Sequence, residues 1–262
     1  MSYTEIFSLS GKKAIITGGA GYLGREIVKG FLDFGTKVVV ADNTNKPLEE
    51  IFPEIEVSAN LRFINCDLSS TEDVKRLYSE SAKWLSGIDI LVTCAAYTGY
   101  AGTGTVLSMS DEVFDAGIDG TLGLTFRCIR EIVPYMEKHG GSIITFGSLY
   151  AWIAPDFEIY DDGNVSPPNY GAGKAAIIQL TRHCASQFAS KGIRVNSITP
   201  GSYPHPPSFQ NQNFMDRLSE RTMMKRIGYP DDLVGAAVFL ASSASKYMTA
   251  TNISVDGGQL SW

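Results

Sequence analysis

Seven short apolar runs alternate with longer stretches of helical periodicity along this chain. The apolar runs cover residues 14–17, 37–42, 61–67, 88–94, 141–147, 193–199 and 252–256. Several of them, such as KVVVAD, are almost continuously apolar, which is typical of strands buried on both faces of a parallel sheet. Helical patterns lie between the runs, at 22–34, 71–84, 111–138, 169–190 and 231–242. The alternation predicts an α/β fold with a doubly wound parallel sheet of about seven strands.

Two segments interrupt this alternation. Residues 151–168 contain three prolines and four acidic residues, and residues 200–216 contain four prolines without a clear period. Both are predicted to be long loops, and loops of this length in a compact domain are usually functional or mobile. Because the chain has no tandem repeat and no linker, we expect one domain over 1–262, with substrate-loop insertions near 151–168 and 200–222.

Composition and charge exclude several classes of protein. The chain has 262 residues, of which 22 are basic and 28 acidic, so its formal net charge is −6. A surface dedicated to nucleic acid is basic, so we expect no nucleic-acid partner. The apolar runs are far shorter than the roughly 18 residues of a membrane span, so we expect no membrane partner. The N-terminal MSYTEIFSLSGKK lacks the apolar core of a signal peptide, which favours a cytoplasmic location.

The cysteines and histidines indicate neither a disulfide framework nor a metal site. Cys66, Cys94, Cys128 and Cys184 form no CxxC pair, which is typical of reduced thiols. The three histidines lack metal-ligand spacing, so we expect no metal.

A glycine-rich turn follows the first predicted strand. Residues 17–24 are TGGAGYLG, with Gly18, Gly21 and Gly24 at intervals of three, and a helix follows. Glycines permit a tight turn and let the backbone approach a pyrophosphate, which the helix N-terminus then stabilises. The position directly after the first strand predicts a Rossmann-like dinucleotide site.

The second strand ends at Asp42, which lies 18 residues after Gly24. A carboxylate at this place accepts hydrogen bonds from the ribose hydroxyls of the adenosine and repels a 2′-phosphate. No basic residue follows Asp42 until Lys46. The sequence therefore predicts that NAD(H) is preferred over NADP(H).

Tyr170 and Lys174 open the helix predicted at 169–190. A spacing of four places both side chains on one helical face. An ammonium group beside a phenol favours the phenolate, so we expect Lys174 to lower the pKa of Tyr170 and to prepare it for proton exchange with a substrate hydroxyl.

The order of these features along the chain resembles that of the short-chain dehydrogenase/reductase family, and the resemblance covers nearly the whole sequence. It is carried by the glycine turn, Asp42, Ser148 and the Tyr170–Lys174 pair. The following segments also match: Cys66-Asp67-Leu68, Cys94-Ala95-Ala96, Ile193-Arg-Val-Asn196 through Pro200-Gly201, Arg226 to Pro230, and Val255-Asp-Gly-Gly258.

The resemblance implies roles for individual residues. Ser148 matches the catalytic serine that holds the substrate oxygen, Tyr170 the general acid/base, and Lys174 the residue that also binds the nicotinamide ribose. Thr121 stands where many members have a catalytic asparagine that helps to hold a water. The cofactor-binding residues expected from the motifs and the resemblance together are Gly18, Gly21, Tyr22, Leu23, Gly24, Asp42, Asn43, Asp67, Leu68, Cys94, Ala95, Ala96, Tyr170, Lys174, Pro200, Gly201 and Tyr203.

Two tyrosines are candidates for the catalytic tyrosine, because Tyr160 lies nearer to the usual family spacing from Ser148 than Tyr170 does. The residue four positions after Tyr160 is Asn164, whereas Tyr170 is followed by Lys174. We therefore assign Tyr170 and interpret about ten residues before it as an insertion.

The chain departs from the family pattern at three places. Tyr22 stands where typical members have a second glycine, Thr121 replaces the usual asparagine, and no threonine follows Pro200-Gly201. The backbone of Ser202 and Tyr203 could take the place of that threonine.

Three functions are consistent with these residues. The first is an NAD-dependent oxidoreductase that interconverts a hydroxyl and a carbonyl group on a small polar, sugar-like substrate. The alternatives are an NAD-dependent sugar epimerase or dehydratase and a non-catalytic NAD-binding protein. The family resemblance also implies a homodimer or homotetramer, with Ile177, Ile178 and Phe188 as candidate contact residues on the long helices.

Overall fold

The sheet organises the whole molecule. We describe a computed structural model of residues 3–55, 59–97, 104–160 and 165–262. In these ranges, the strands form one seven-stranded parallel sheet in the order β3-β2-β1-β4-β5-β6-β7. The strands are β1 (Lys13–Thr17), β2 (Lys37–Asp42), β3 (Leu61–Asn65), β4 (Ile90–Thr93), β5 (Gly141–Phe146), β6 (Ile193–Pro200) and β7 (Asn252–Val255). The prediction of a doubly wound α/β sheet is confirmed.

Helices cover both faces of the sheet. They are α1 (Tyr22–Asp33), α2 (Leu48–Ile51), α3 (Thr71–Leu85), α4 (Asp111–Ile118), α5 (Leu124–Met136), α6 (Pro168–Phe188), α7 (Gln212–Glu220) and α8 (Val234–Ala241). Ile15 packs with residues of α3, α5 and α6, whereas the next residue, Ile16, packs with residues of α1 and α8. This alternation explains the continuous apolar runs, because each strand has a core on both faces.

The topological switch point lies at β1. Thr17 at the end of β1 is in register with Ala41 of β2 on one side and with Thr93 of β4 on the other. The chain leaves the sheet in opposite directions from these two neighbours, so a crevice opens at the carboxyl ends of the strands. The glycine turn that follows Thr17 lies at this crevice.

The helix predicted over 111–138 is interrupted by a π-helical turn at Asp119–Gly123. The Tyr97 backbone amide donates to the Gly120 carbonyl at 2.8 Å, and a side chain on Gly120 would collide with the Tyr97 carbonyl. Arg127 also forms an ion pair with Asp119 at 2.6 Å across the turn. The Gly120 carbonyl therefore accepts a hydrogen bond from Tyr97, a residue outside the helix. This contact accounts for the π-helical turn at Asp119–Gly123.

The two segments predicted as loops contain structure of their own. Residues 206–210 form a 3₁₀ turn, and α7 follows within the region that lacked a helical period. Ile159 from the first segment packs with Leu218 of α7 and with Ile227 in a small cluster apart from the two cores of the sheet. The segments 151–168 and 200–222 thus contact each other through their described residues.

Two further features concern the cysteines and the length and hydropathy of the helices. Cys66, Cys94, Cys128 and Cys184 all lie in described segments and are free of disulfide bonds. Within the described ranges, none of the helices combines the length and the hydropathy that a bilayer span requires.

Candidate active site

The glycine turn forms a close-packed backbone cradle at the crevice. Gly18 has a φ of +67°, and a Cβ at this residue would lie 2.5 Å from the Ala95 backbone nitrogen. A Cβ on Gly24 would collide with the Gly18 carbonyl oxygen. Gly21 is the N-cap of α1 and has no side chain to engage the first-turn amides, which remain available to an anion. The backbone of these residues fits a dinucleotide pyrophosphate.

The Asp42 carboxylate closes the cradle from the end of β2. Its Oδ2 atom accepts a hydrogen bond from the Ala20 backbone amide at 3.0 Å, and Oδ1 accepts one from the Asn43 amide at 2.9 Å. Burial raises the pKa of Asp42, and the two backbone hydrogen bonds oppose that shift. The acid predicted to bind ribose is thus held in a fixed orientation against the glycine turn.

Gly18→Ala is expected to lower the free energy of unfolding by more than about 1 kcal/mol, because an L side chain is strained at a positive φ and would also clash with Ala95. The variant should gain less thermal stability from NAD than the wild type does. Gly235→Ala is the matched control, since Gly235 lies in α8 with open space around it and alanine favours a helix by up to about 1 kcal/mol. Thermal unfolding with and without NAD measures both; equal effects of the two substitutions would contradict the close packing of the cradle.

The other predicted cofactor residues line the crevice to different degrees. Ala95 and Ala96 follow β4 beside Gly18, and Pro200 ends β6 with the Gly201 amide bonded to the Val255 carbonyl at 3.1 Å. The side chains of three others turn to partners within the protein. Leu68 packs in the core, the Asp67 carboxylate accepts from Ser69, and the Tyr203 hydroxyl donates to the Val255 carbonyl at 3.1 Å. Burial raises the pKa of the Cys94 thiol to about 12, so it is protonated at neutral pH.

Ser148 and Tyr170 meet at the carboxyl end of the sheet. Ser148 follows β5 and is almost fully buried, and its Oγ accepts a hydrogen bond from the Tyr150 amide at 3.2 Å. Tyr170 lies in the first turn of α6, and its neighbour Gly171 packs against the Tyr150 carbonyl, which brings the Tyr170 hydroxyl close enough to Ser148 for that side chain to lower its pKa. The insertion between them therefore leaves the predicted serine–tyrosine pair intact.

Lys174 lies one turn further along α6, with 4% of its surface exposed. Its Nζ donates to the Phe146 carbonyl at 2.8 Å and lies 5.7 Å from the centre of the Tyr170 ring. Burial lowers the pKa of Lys174 to about 8. Burial also raises the pKa of Tyr170, and the nearby Ser148 hydroxyl opposes that shift. The pKa of Tyr170 therefore lies above its ordinary value, because desolvation of the phenol dominates, and the expected lowering by Lys174 stays a prediction.

The lowered pKa of Lys174 gives a pH-dependent contribution to stability. Between pH 8 and 10.5 the unfolded chain binds a proton at this lysine that the folded chain does not, so the contribution to the free energy of unfolding rises with pH. Lys174→Met lacks this titration. We expect the difference in Tm between wild type and variant to shift in favour of the wild type across that range, and a constant difference would contradict the buried ammonium.

Thr121 is fully buried in the π-helical turn and packs against Gly173 of α6. Its hydroxyl donates to the Gly117 carbonyl at 2.9 Å and to the Ile118 carbonyl at 3.2 Å. The hydrogen of the Thr121 hydroxyl is therefore shared between two backbone oxygens of the preceding helical turn. The hydroxyl oxygen can still accept a hydrogen bond from a water.

The structure adds two contacts that the sequence pattern did not reveal. Asn169, directly before Tyr170, is fully buried and donates to the Val113 carbonyl at 2.9 Å, which fixes the start of α6 against α4. The Tyr22 ring lies 5.0 Å from the ring of His205 and joins the glycine turn to the 200–222 segment. A polar residue adjacent to the tyrosine was the available signal for Asn169.

Comparisons with known proteins agree with this geometry. A family model described as Enoyl-(Acyl carrier protein) reductase matches residues 19–259. The chain is 30% identical to the 3-oxoacyl-(acyl-carrier-protein) reductase FabG of Staphylococcus epidermidis, with 94% of this chain and 98% of that protein covered. It is 28% identical to dehydrogenase/reductase SDR family member 4 of Homo sapiens, with 95% and 88% covered. A solved short chain dehydrogenase from Leptospira borgpetersenii with bound NAD+ is 30% identical, covers 99% of this chain and 96% of its own, and has a TM-score of 0.83.

The fold, the site and these matches define an oxidoreductase that acts on CH–OH groups with a nicotinamide cofactor. The family model covers far more than half of the chain. The chain belongs to the short-chain dehydrogenase/reductase family, as the sequence motifs indicated.

Proposed function

We propose that this enzyme interconverts a hydroxyl and a carbonyl group on a small polar, sugar-like substrate, with NAD(H) as cofactor and Ser148, Tyr170 and Lys174 as its catalytic residues. The observation that carries the proposal is the convergence of Ser148 and Tyr170 at the carboxyl end of the sheet, with the buried Lys174 one turn further along α6. Residues 1–262 act as one domain in this proposal, and the segments near 151–168 and 200–222 form the substrate side of the site.

The proposed roles follow from the surroundings of each side chain. The Ser148 hydroxyl holds the substrate oxygen, while Tyr170 exchanges the proton with that oxygen. The raised pKa of Tyr170 keeps the phenol protonated at neutral pH, ready to donate in the reductive direction. Lys174 is cationic below about pH 8 and helps the phenol to release its proton in the oxidative direction. A bound nicotinamide ring supplies or accepts the hydride.

The preference for NAD(H) over NADP(H) rests on Asp42. Both of its carboxylate oxygens are held by backbone amides at the end of β2, in the place where the adenosine ribose of a dinucleotide is bound. A fixed negative charge at this place repels a 2′-phosphate. The bound NAD+ of the Leptospira borgpetersenii relative supports the same preference.

The substrate side of the site favours a polar compound. The names of the relatives point to different substrates, a 3-oxoacyl-(acyl-carrier-protein) in one and zerumbone in another, so they do not select one for this chain. In this chain, a cavity after Ser148 is lined by Tyr150, Glu220 and the ion pair of Asp156 with Arg221, and by apolar side chains such as Leu218. Hydroxyl, carboxylate and guanidinium groups in that wall match a substrate rich in hydroxyl groups.

We also propose a homodimer or homotetramer. The candidate contact residues Ile177, Ile178 and Phe188 are buried against the core of their own protomer, so they do not supply the interface. Phe114 of α4 and Phe126 of α5 instead project into solvent, and large apolar side chains exposed on neighbouring helices are typical of a protein contact surface.

Thermal unfolding with NAD, NADH, NADP and NADPH, followed by a turnover assay on polyols and their keto forms, tests the proposal. A dinucleotide at a concentration a hundredfold above its Kd raises the free energy of unfolding by about 2.7 kcal/mol. We expect NAD(H) to stabilise the protein by this amount, and we expect the enzyme to oxidise a polyol with NAD. A larger shift with NADP(H) would contradict the cofactor assignment. A dinucleotide released only on denaturation, without net oxidation of any polyol, would instead support the sugar epimerase or dehydratase.

A further inference from the structure

Two tyrosines of the insertion form a hydroxyl pair next to the catalytic group. The hydroxyls of Tyr150 and Tyr160 are hydrogen-bonded to each other, and both side chains are half-buried. Tyr150 lies beside the reacting centre, because its amide donates to Ser148 Oγ and its carbonyl packs against Gly171, the residue after Tyr170. The three phenols therefore lie together on the substrate side of Ser148.

The pair is held in place by α7 rather than by solvent-exposed chain. The ring of Tyr160 lies 5.7 Å from the ring of Phe214, and Arg217 Nε donates to the Ile159 carbonyl at 3.0 Å. Ile159 itself is buried in the small cluster with Leu218. The position of the Tyr160 side chain is thus fixed by the contacts of Ile159 and by the packing of its own ring.

The Tyr150–Tyr160 pair has hydrogen-bond donors and acceptors that remain for a ligand. Each phenol has one hydrogen and can also accept. One hydrogen is used between Tyr150 and Tyr160, so the pair has one more hydrogen to donate and lone pairs that can accept. An alcohol hydroxyl, which also donates once and accepts, matches this set, whereas a methylene group does not.

A cavity of about 490 Å³ begins at the same place. Leu149 and Tyr150, which follow Ser148 in the chain, line it together with Glu220, Gln259 and Trp262. This volume lies in the range of small-ligand sites. An aromatic ring with carboxylate and amide groups around it suits a compact ring that has apolar C–H faces and hydroxyl groups at its edge.

We propose that the Tyr150–Tyr160 hydroxyl pair and the adjoining cavity form a second subsite, which binds a hydroxyl group next to the one that is oxidised and the body of a polyhydroxylated ring. The inference rests on the proposed function, because it takes Ser148 and Tyr170 as the reacting centre. Tyr150 and Tyr160 are then specificity-determining residues that touch the substrate but transfer no proton.

The test compares two substrates that differ by one hydroxyl, cyclohexanol and cis-1,2-cyclohexanediol, with NAD+ in excess. The wild type is expected to have a kcat/KM about two- to tenfold higher for the diol, which is the contribution of one neutral hydrogen bond in a protein. In Tyr160→Phe and in Tyr150→Phe, the ratio of the two kcat/KM values should fall towards one. Tyr247→Phe, on a fully exposed side chain, is the control and should keep the wild-type ratio.

Each other outcome has a distinct meaning. If either Phe variant lowers kcat/KM for both compounds by the same factor, the pair only supports the loop and the subsite is refuted. If the wild type oxidises both compounds equally well, the subsite is refuted while the proposed function stands. If the wild type binds NAD+ but oxidises neither compound nor any polyol, the proposed function fails and the subsite fails with it.

Discussion

Tyr170→Phe is expected to lower kcat by about 10²–10⁴-fold, the range in which a positioned general acid/base contributes to catalysis. The phenyl ring of the variant keeps the packing of the first turn of α6 but lacks the hydroxyl that lies near Ser148. NAD binding and the Tm of the protein should change little. Steady-state turnover of a polyol measures kcat, and thermal unfolding with and without NAD measures the Tm and the binding of NAD.

Tyr247→Phe is the matched control for this loss, since its side chain is fully exposed. Full activity in Tyr170→Phe would exclude the assigned proton-transfer role. If the large loss followed Tyr160→Phe instead, the tyrosine nearer to Ser148 in sequence would be the acid/base. Unchanged and very low activity in wild type and all variants would favour a non-catalytic NAD-binding protein.

Asp42→Asn is expected to weaken NAD binding by about 10–100-fold, because hydrogen bonds to a charged group contribute about 1.5–3 kcal/mol and tenfold corresponds to 1.4 kcal/mol. The substitution removes the charge and leaves one side-chain acceptor for the amides of Ala20 and Asn43. The repulsion of a 2′-phosphate is lost at the same time, so the ratio of the Kd values for NADP and NAD should fall. Calorimetric titration with both dinucleotides measures the change.

The Tm of the variant without cofactor shows whether the glycine turn has itself been disturbed. A large drop in this Tm would assign the lost affinity to the cradle rather than to the ribose contact. Tighter binding of NADP than of NAD by the wild type would contradict the role of Asp42 altogether.

The sequence predicted the framework of the fold because local patterns determine it. Every predicted strand is present, and even the last run, 252–256, corresponds to β7 at Asn252–Val255. The continuous apolar runs indicate strands that are buried on both faces. Any inner strand of this sheet is buried in that way, so the pattern is visible in each strand separately. The glycine turn and the end of β2 follow in the same way, because they are fixed relative to the strands that precede them.

The predictions that were wrong depend on contacts between distant segments. The π-helical turn at Asp119–Gly123 follows from the approach of Tyr97, which no periodicity within 111–138 can report. Ile177 and Ile178 have the apolar character of an interface or of a core alike, and only the packing of α6 on the sheet decides between them. The Tyr170–Lys174 spacing correctly predicts proximity, but the direction of the pKa shift depends on burial, which the spacing does not contain.

The small cluster of Ile159, Leu218 and Ile227 joins the segments 151–168 and 200–222, with Ile227 just beyond the second of them. It is separate from the two cores that hold the sheet, so it can come apart without unfolding the molecule. Because both substrate-side segments contribute to it, neither segment leaves without exposing apolar surface of the other. We therefore expect the two segments to loosen together when the packing of this cluster is weakened, while the two cores of the sheet keep their structure.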